Sequence, residues 1–268
     1  MPSIDDNREL WGRPDQWDDD GDSWSNGWGG PGSQWWSWIA PRVRAAAGEP
    51  PYDRVVELGC GHGRWTQFLA EWSPEVVAVD VAPECVAACA SRFGEVPAVR
   101  PVVGDGRSLP GVRDRSVDLV FSFDSLVHAD AEAVGAYVAE IDRVLAEDGV
   151  AWIHHSNLAA SRLNASTALR RLGPLHRALA RAGLVEREVH WRDPTVDADL
   201  VAGLARRHGL VCAGQELLRW STRRTAIDCV SVLARPGSRA PAVVAPAGRW
   251  LNEGFEAERE AAWAAAQR

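Results

Sequence analysis

Short β-branched runs alternate, along the middle of this chain, with stretches that carry apolar residues every three or four positions. Val55-Val56-Glu57-Leu58, Val76-Val77-Ala78-Val79-Asp80 and Val117-Asp118-Leu119-Val120-Phe121-Ser122-Phe123 are of the first kind. The pattern predicts strands over 53–58, 75–80, 98–103, 117–123 and 149–155, with helices over 63–72, 82–93 and 130–146. A helix over about 196–208 follows, and then two β-rich runs, 210–218 and 226–233, joined by Arg219 to Arg224. Strands alternating with helices predict an α/β fold, in which a mostly parallel sheet is covered by helices on both faces.

The flanks do not follow this rhythm. Residues 1–50 hold seven tryptophans (Trp11, Trp17, Trp24, Trp28, Trp35, Trp36, Trp38) beside Asp18-Asp19-Asp20 and a Gly-rich stretch from Asn26 to Gly32. Disordered tails are poor in aromatics, so this arm is expected to pack. Some of its rings should join the core, and others should close over a bound ligand, since indole offers a broad apolar face with one donor. Trp28, Trp35 and Trp36 are the rings expected to form that lid. An insertion over 157–192 is locally basic, with Arg162, Arg170, Arg171, Arg177, Arg181, Arg187 and Arg192 against Glu186 and Glu188. It reads as a solvated helix face or as a lid that meets an anionic group. The chain thus divides into an N-terminal arm (1–50), a central domain (51–235) carrying the insertion, and a Pro/Ala-rich linker with a C-terminal helix (236–268).

The first predicted strand ends in Glu57-Leu58-Gly59-Cys60-Gly61-His62-Gly63-Arg64. Glycines at alternate positions let the backbone turn tightly and approach a ligand that Cβ atoms would exclude. Asp80 tips the next parallel strand, where a carboxylate suits a ribose diol. The pair points to an adenosine-bearing cofactor. A dinucleotide fingerprint wants glycine at the sixth position of its motif, and that position here is Arg64. A P-loop needs lysine, and the chain has none.

The Glu57-to-Gly63 run resembles the cofactor loop of class I S-adenosylmethionine (SAM) methyltransferases. The likeness continues in order through Gly104-Asp105-Gly106-Arg107, Ser116 to Asp124, and Leu145 to Val150, covering about residues 52–157. It implies a Rossmann-like fold whose seven-stranded sheet ends in an antiparallel hairpin. It also implies SAM as cofactor and S-adenosylhomocysteine (SAH) as product. Glu57, Gly59, Gly61 and Gly63 would hold the methionine part. Asp80 and Val81 would meet the ribose side, and Asp105, Gly106 and Arg107 the adenine. Ser122 and Phe123 would line the cofactor toward the acceptor, with Trp28 and Trp36 closing from the arm. A fainter likeness, in Phe123 to His128, Ile153 to Asn157 and the arm from Trp24 to Trp38, is to methyltransferases of glycan and antibiotic biosynthesis. It implies a sugar hydroxyl as acceptor.

Composition narrows the partners. At 268 residues with net charge −8, the chain would repel a nucleic acid at long range. The absence of lysine excludes Schiff-base chemistry and, with abundant Ala and Arg, fits a GC-rich bacterial genome. Five scattered cysteines read as reduced core residues, and no stretch is apolar enough to span a membrane. A cytoplasmic enzyme with a small acceptor, neutral or anionic, is therefore expected.

Transfer to an alcohol also needs a base near neutral pKa. Four histidines are candidates: His128 after the strand 117–123, His154 and His155 closing the strand 149–155, and His190 in the polar and aromatic cluster His190-Trp191-Arg192-Asp193. Alternation along a strand puts His154 and His155 on opposite faces, so at most one should meet the acceptor. His128 is the first choice, and Asp124 would orient the base or bind the cofactor amine. Magnesium is compatible with Asp124, Asp130 and these histidines, but no tight ligand spacing calls for it. An N-methyltransferase acting on an amine and a silent SAM-fold scaffold are the alternatives.

Overall fold

The computed structural model describes residues 3–160, 174–175, 192–219, 226–238 and 248–268. Most of the 157–192 insertion, including six of its arginines and His190, lies outside the described residues.

The central strands are β1 (Val55–Leu58), β2 (Val76–Asp80), β3 (Val99–Val103), β4 (Val117–Ser122) and β5 (Leu145–Ser156). They pair in parallel in the order β3-β2-β1-β4-β5. β1 and β2 are buried at every position, which is why they read as continuous apolar runs rather than alternating ones. The chain winds outward from β1 to β3, then recrosses to begin β4 on the other side of β1. That reversal opens a crevice beyond the carboxyl ends of β1 and β4.

Eight strands are present among the described residues, not seven. β6 (Val211–Leu218) and β7 (Asp228–Ala234) pair antiparallel as expected, with β7 inserted against β5. The additional strand, β8 (Gly248–Asn252), pairs in parallel with β6 at the sheet edge. Only a linker and a helix were expected over 236–268. Instead Arg249-Trp250-Leu251 satisfy the open edge of β6, and the helix begins only after Gly254.

The helices are α1 (Ile4–Trp11), α2 (Pro31–Gln34), α3 (Ala40–Ala47), α4 (Thr66–Trp72), α5 (Pro83–Phe93), α6 (Ala131–Val144), α7 (Ala198–Arg207) and α8 (Phe255–Ala266). α6 and α7 cover one face of the sheet through Val134, Val138, Ile141, Val201 and Leu204. Asp130 and Asp197 cap these two helices, each accepting a backbone N–H of the first turn. The other face is aromatic. Trp28, Trp35 and Trp38 of the arm pack there with Trp65, Phe68, Trp72, Phe121, Phe123, Trp152 and Phe255. Trp35 stacks on Phe68 at 5.0 Å and 12°. Burying one tryptophan removes about 150–250 Å² from water, worth roughly 4–6 kcal/mol before entropic costs. Three such rings make this part of the arm a wall of the core. No helix among the described residues is long and apolar enough to cross a membrane.

Candidate cofactor and acceptor cavity

A cavity of about 580 Å³ occupies the crevice at the strand ends. Its floor is Leu58 to Gly61 after β1, Asp80 and Val81 after β2, and Phe123 to Leu126 after β4. Its roof is the first part of the arm, through Ile4, Asn7, Leu10, Trp11, Gln16, Trp17 and Trp24.

The glycine turn is built as its sequence demands. Gly61 has φ +52°, and a Cβ there would lie 2.5 Å from the Trp17 ring. Asp80 fixes the turn from the neighbouring strand. One carboxylate oxygen accepts the Gly61 N–H at 2.9 Å, and the other accepts the Ala82 N–H at 2.9 Å. Burial raises the Asp80 carboxyl from its ordinary value, and these backbone donors oppose the rise. Each oxygen keeps a lone pair for a further donor, and the residue faces the cavity.

Glu57 lies beneath the turn rather than on the cavity wall. It accepts the Thr66 hydroxyl on Oε2 at 2.5 Å. Oε1 is buried without a hydrogen-bond partner among the described residues. Burial pushes this carboxyl well above its usual range, opposed by Thr66. Gly63 also stays off the wall, because its bare Cα makes room for the Phe93 ring.

Other expected contacts are placed differently. Asp105 turns away from the cavity and closes its own loop, accepting the N–H of Arg107 at 2.8 Å and of Ser108 at 2.7 Å. Arg107 points outward to Glu132. Gly106 does line the cavity, and Ile4 of α1 sits on its Cα, 2.9 Å from where a Cβ would be. Ser122 is buried and donates to the Leu58 carbonyl at 3.0 Å, joining β1 to β4. Trp28 is buried against Trp38 and Phe255, away from the cavity. Trp36 lies half exposed over Phe68 and Trp72. The arm rings that line the cavity are Trp11, Trp17 and Trp24, and the chain reverses between Trp17 and Trp24 through Asp19-Asp20-Gly21, all at positive φ.

At the acceptor side, Asp124 adopts φ +61° although it is not glycine, a strained conformation typical of functional sites. Its carboxylate is held by Arg64 at 3.0 Å, and its N–H donates to His154 Nδ1 at 3.1 Å. His154 is fully buried, stacked on Phe123 at 4.5 Å, and its Nε2 lies 3.2 Å from Asp228. Asp228 is itself buried and takes a forked contact from Arg192, with Nη2 at 2.7 Å. Burial would raise the Asp228 carboxyl, but Arg192 and then His154 hold it well below its usual range. His154 is thus a support behind the wall and Asp124 a part of it.

His155 points to the opposite face and does not reach the cavity. Its Nδ1 is 2.8 Å from the Ser156 carbonyl and its Nε2 2.7 Å from the Ser231 hydroxyl, so it stays a neutral donor and acceptor. Burial lowers its pKa to about 4, against the Ser156 carbonyl. An imidazole depressed in this way contributes no penalty above the free value of about 6.5. The unfolded chain takes up a proton first, so stability falls as pH drops from about 6.5 toward 4, by on the order of 3 kcal/mol at most. Unfolding by urea at pH 7.5 and 5.0 is expected to show a steeper loss for wild type than for His155→Gln. Equal losses would refute this assignment.

Among the described residues, His128 is the one predicted histidine that lines the cavity, 4.9 Å from the Trp11 ring. Its backbone carbonyl accepts from Asn7 of the arm at 3.0 Å. Arg64, Tyr137, Arg192 and Arg259 also line the cavity and were not expected there. Arg64 was legible as the residue just past the glycine turn, whereas Arg259 arrives on α8 and carries no local signal. Among the described residues, no group of three His, Cys, Asp or Glu side chains is placed to hold a metal ion. Cys85 and Cys89 are both buried on α5.

Residues 55–149 match the family model of a methyltransferase domain. With the sheet order, that match gives the segment a likeness to class I, SAM-dependent methyltransferase domains. Among curated proteins, the chain is 34% identical over 64 residues to a probable ribosomal RNA small subunit methyltransferase A of Methanosarcina acetivorans, 24% of each chain. The match spans about a quarter of that relative's length. Among solved structures it resembles a protein from Pyrococcus horikoshii OT3, with TM-score 0.53, 18% identity, and 76% and 91% of the two chains covered. It also resembles the magnesium protoporphyrin IX methyltransferase of Synechocystis PCC 6803, crystallised with SAH, with TM-score 0.53, 16% identity, and 77% and 84% coverage. At these identities the likeness is one of fold.

Proposed function

We propose that this protein transfers the methyl group of SAM to a hydroxyl of a small acceptor, a sugar or glycosylated metabolite. One observation carries the reading: a single roofed cavity runs from the glycine turn and Asp80 to Asp124 and His128. The residues fit the cofactor. Gly61 is bare where the backbone borders the cavity, and Asp80 keeps acceptor capacity for a diol. Bound SAM would supply an electrophilic methyl group on a positively charged sulfur.

The chain would supply the rest. Asp80 and the Gly59–Gly61 backbone orient the donor, and the arm excludes water. Such alignment contributes several kcal/mol. Asp124 is held rigid by Arg64 and His154 and shapes the acceptor side. His128 takes the hydroxyl proton on an imidazole nitrogen. The arm's indoles supply flat apolar faces for a sugar ring. The net charge of −8 also disfavours RNA at long range.

Methyl-labelled SAM and a panel of sugar, amine and phenol acceptors test the reading directly. His128→Ala is expected to lower kcat on an alcohol by about 100-fold or more with SAM affinity unchanged. An amine acceptor, already nucleophilic when neutral, would need far less of that help. A His128→Ala rate within threefold of wild type would shift the assignment to nitrogen, and no transfer to any acceptor class would refute the reading.

A further inference from the structure

Trp11, Trp17 and Trp24 stand at angles to one another above the cavity. Trp11 meets Trp17 with centroids 5.9 Å apart at 60°, and Trp24 at 6.2 Å and 67°. Trp17 lies against Gly61 and Trp11 against His128, so the three rings bridge the space from the glycine turn to the acceptor side. The indole N–H of Trp17 is consumed by the Trp11 carbonyl at 2.7 Å. What Trp17 offers besides is its π surface. His62 stacks on that ring at 4.2 Å, and burial lowers its pKa, opposed by Asp20, so it brings no competing cation at neutral pH.

The rings are also fixed in place. Arg8 donates to the Val81 carbonyl at 3.1 Å, Asn7 to the His128 carbonyl, and Arg92 grips Asp22 at 3.0 Å. Below them the floor carries Asp80 and Asp124. Several aromatic faces over carboxylates form the chemistry that recognises an onium cation. Trp24 remains 55% exposed at the edge of this roof, an apolar surface that its acidic, Gly-rich surroundings do not bury.

Resting on the methyltransferase reading, we propose that Trp11, Trp17 and Trp24 form an onium cage that favours the charged sulfonium donor over its neutral thioether product. When the S–CH3 bond breaks, the sulfur keeps the electron pair and loses its charge. The acceptor oxygen gains the methyl carbon, and its proton passes to His128. The attraction of the cage disappears at that moment, and the product is held only by contacts common to both nucleosides. The arm is then a specificity element as well as a cover.

Calorimetry with the full chain tests this without turnover. SAM, SAH and the amine analogue that carries an ammonium carbon in place of the sulfonium are titrated into wild type, Trp11→Leu, Trp11→Phe and Trp24→Leu. Each leucine variant is expected to lower the preference for SAM over SAH by roughly 3- to 30-fold. SAH affinity should stay within about twofold, which also reports an intact fold, and Trp11→Phe should fall between. The ammonium analogue should follow SAM. Equal weakening of SAM and SAH in the half-exposed Trp24→Leu, or in a Trp11 variant that still binds, would overturn the cage and leave the methyltransferase reading standing. Wild type that binds neither nucleoside would overturn that reading itself.

Discussion

Asp80→Ala is expected to weaken SAM binding by at least about 100-fold and to lower Tm by roughly 5–15 °C. Two separate losses combine in it. Asp80 holds the Gly61 and Ala82 N–H groups at 2.9 Å each inside a buried turn. Leaving both without an acceptor costs about 1–3 kcal/mol apiece, and in a chain of this size each kcal/mol moves Tm by about 2–4 °C. The ribose hydroxyls would also lose a charged acceptor, worth about 1.5–3 kcal/mol per bond. Calorimetry with SAM and thermal unfolding separate the two. Asp80→Asn keeps one oxygen and should fall between wild type and alanine in both measurements. SAM affinity unchanged in Asp80→Ala would remove the cofactor from this strand end.

The second large effect lies behind the cavity wall. Asp228→Ala is expected to cost about 3–5 kcal/mol of stability, because it strands the nearly buried Arg192 guanidinium. It should also slacken His154, whose Nε2 faces Asp228 and whose Nδ1 receives the Asp124 N–H. Replacing both charges, as Asp228→Leu with Arg192→Met, should cost less than Asp228→Ala alone, since no charge is left unpaired. The pH dependence has a definite sign. Arg192 and His154 hold the folded carboxyl below its unfolded value, so the contribution is complete above about pH 4. It fades as pH falls below that. Urea midpoints of wild type and Asp228→Ala should differ fully at pH 7 and converge under more acid conditions. A constant gap across that range would show that Asp228 does not act through its charge.

The readable part of the site was the part made by local chain. Gly59, Gly61 and Asp80 belong to one strand–turn–helix–strand unit, and a turn that needs positive φ next to a strand tipped with a carboxylate leaves its mark on neighbouring residues. Asp228 left no such mark. It sits in an apolar run that reads simply as a strand, and its partners Arg192 and His154 come from far along the chain. The same limit applies to His154 and His155. Alternation separates their faces, but only β7 and β4 decide that one supports Asp124 and the other bonds Ser231.

The arm shows the division most sharply. Seven tryptophans in the first 50 residues announce that this segment packs, and nothing in their order tells core from lid. Positive φ at Asp19, Asp20 and Gly21 turns the chain between Trp17 and Trp24, and positive φ at Gly29 and Gly30 turns it again between Trp28 and Trp35. Trp11, Trp17 and Trp24 are left over the cavity, while Trp28, Trp35 and Trp38 pass under the sheet. Likewise β8 exists because β6 has an open edge, a property of the sheet rather than of residues 248–252. What the sequence by itself determined was the α/β class, the succession of central strands and helices along the chain and the glycine turn beside Asp80, all set by short-range periodicity and backbone sterics. Tertiary structure alone decided which side chains face the cavity, because that depends on packing between segments whose separation along the chain carries no periodic signal.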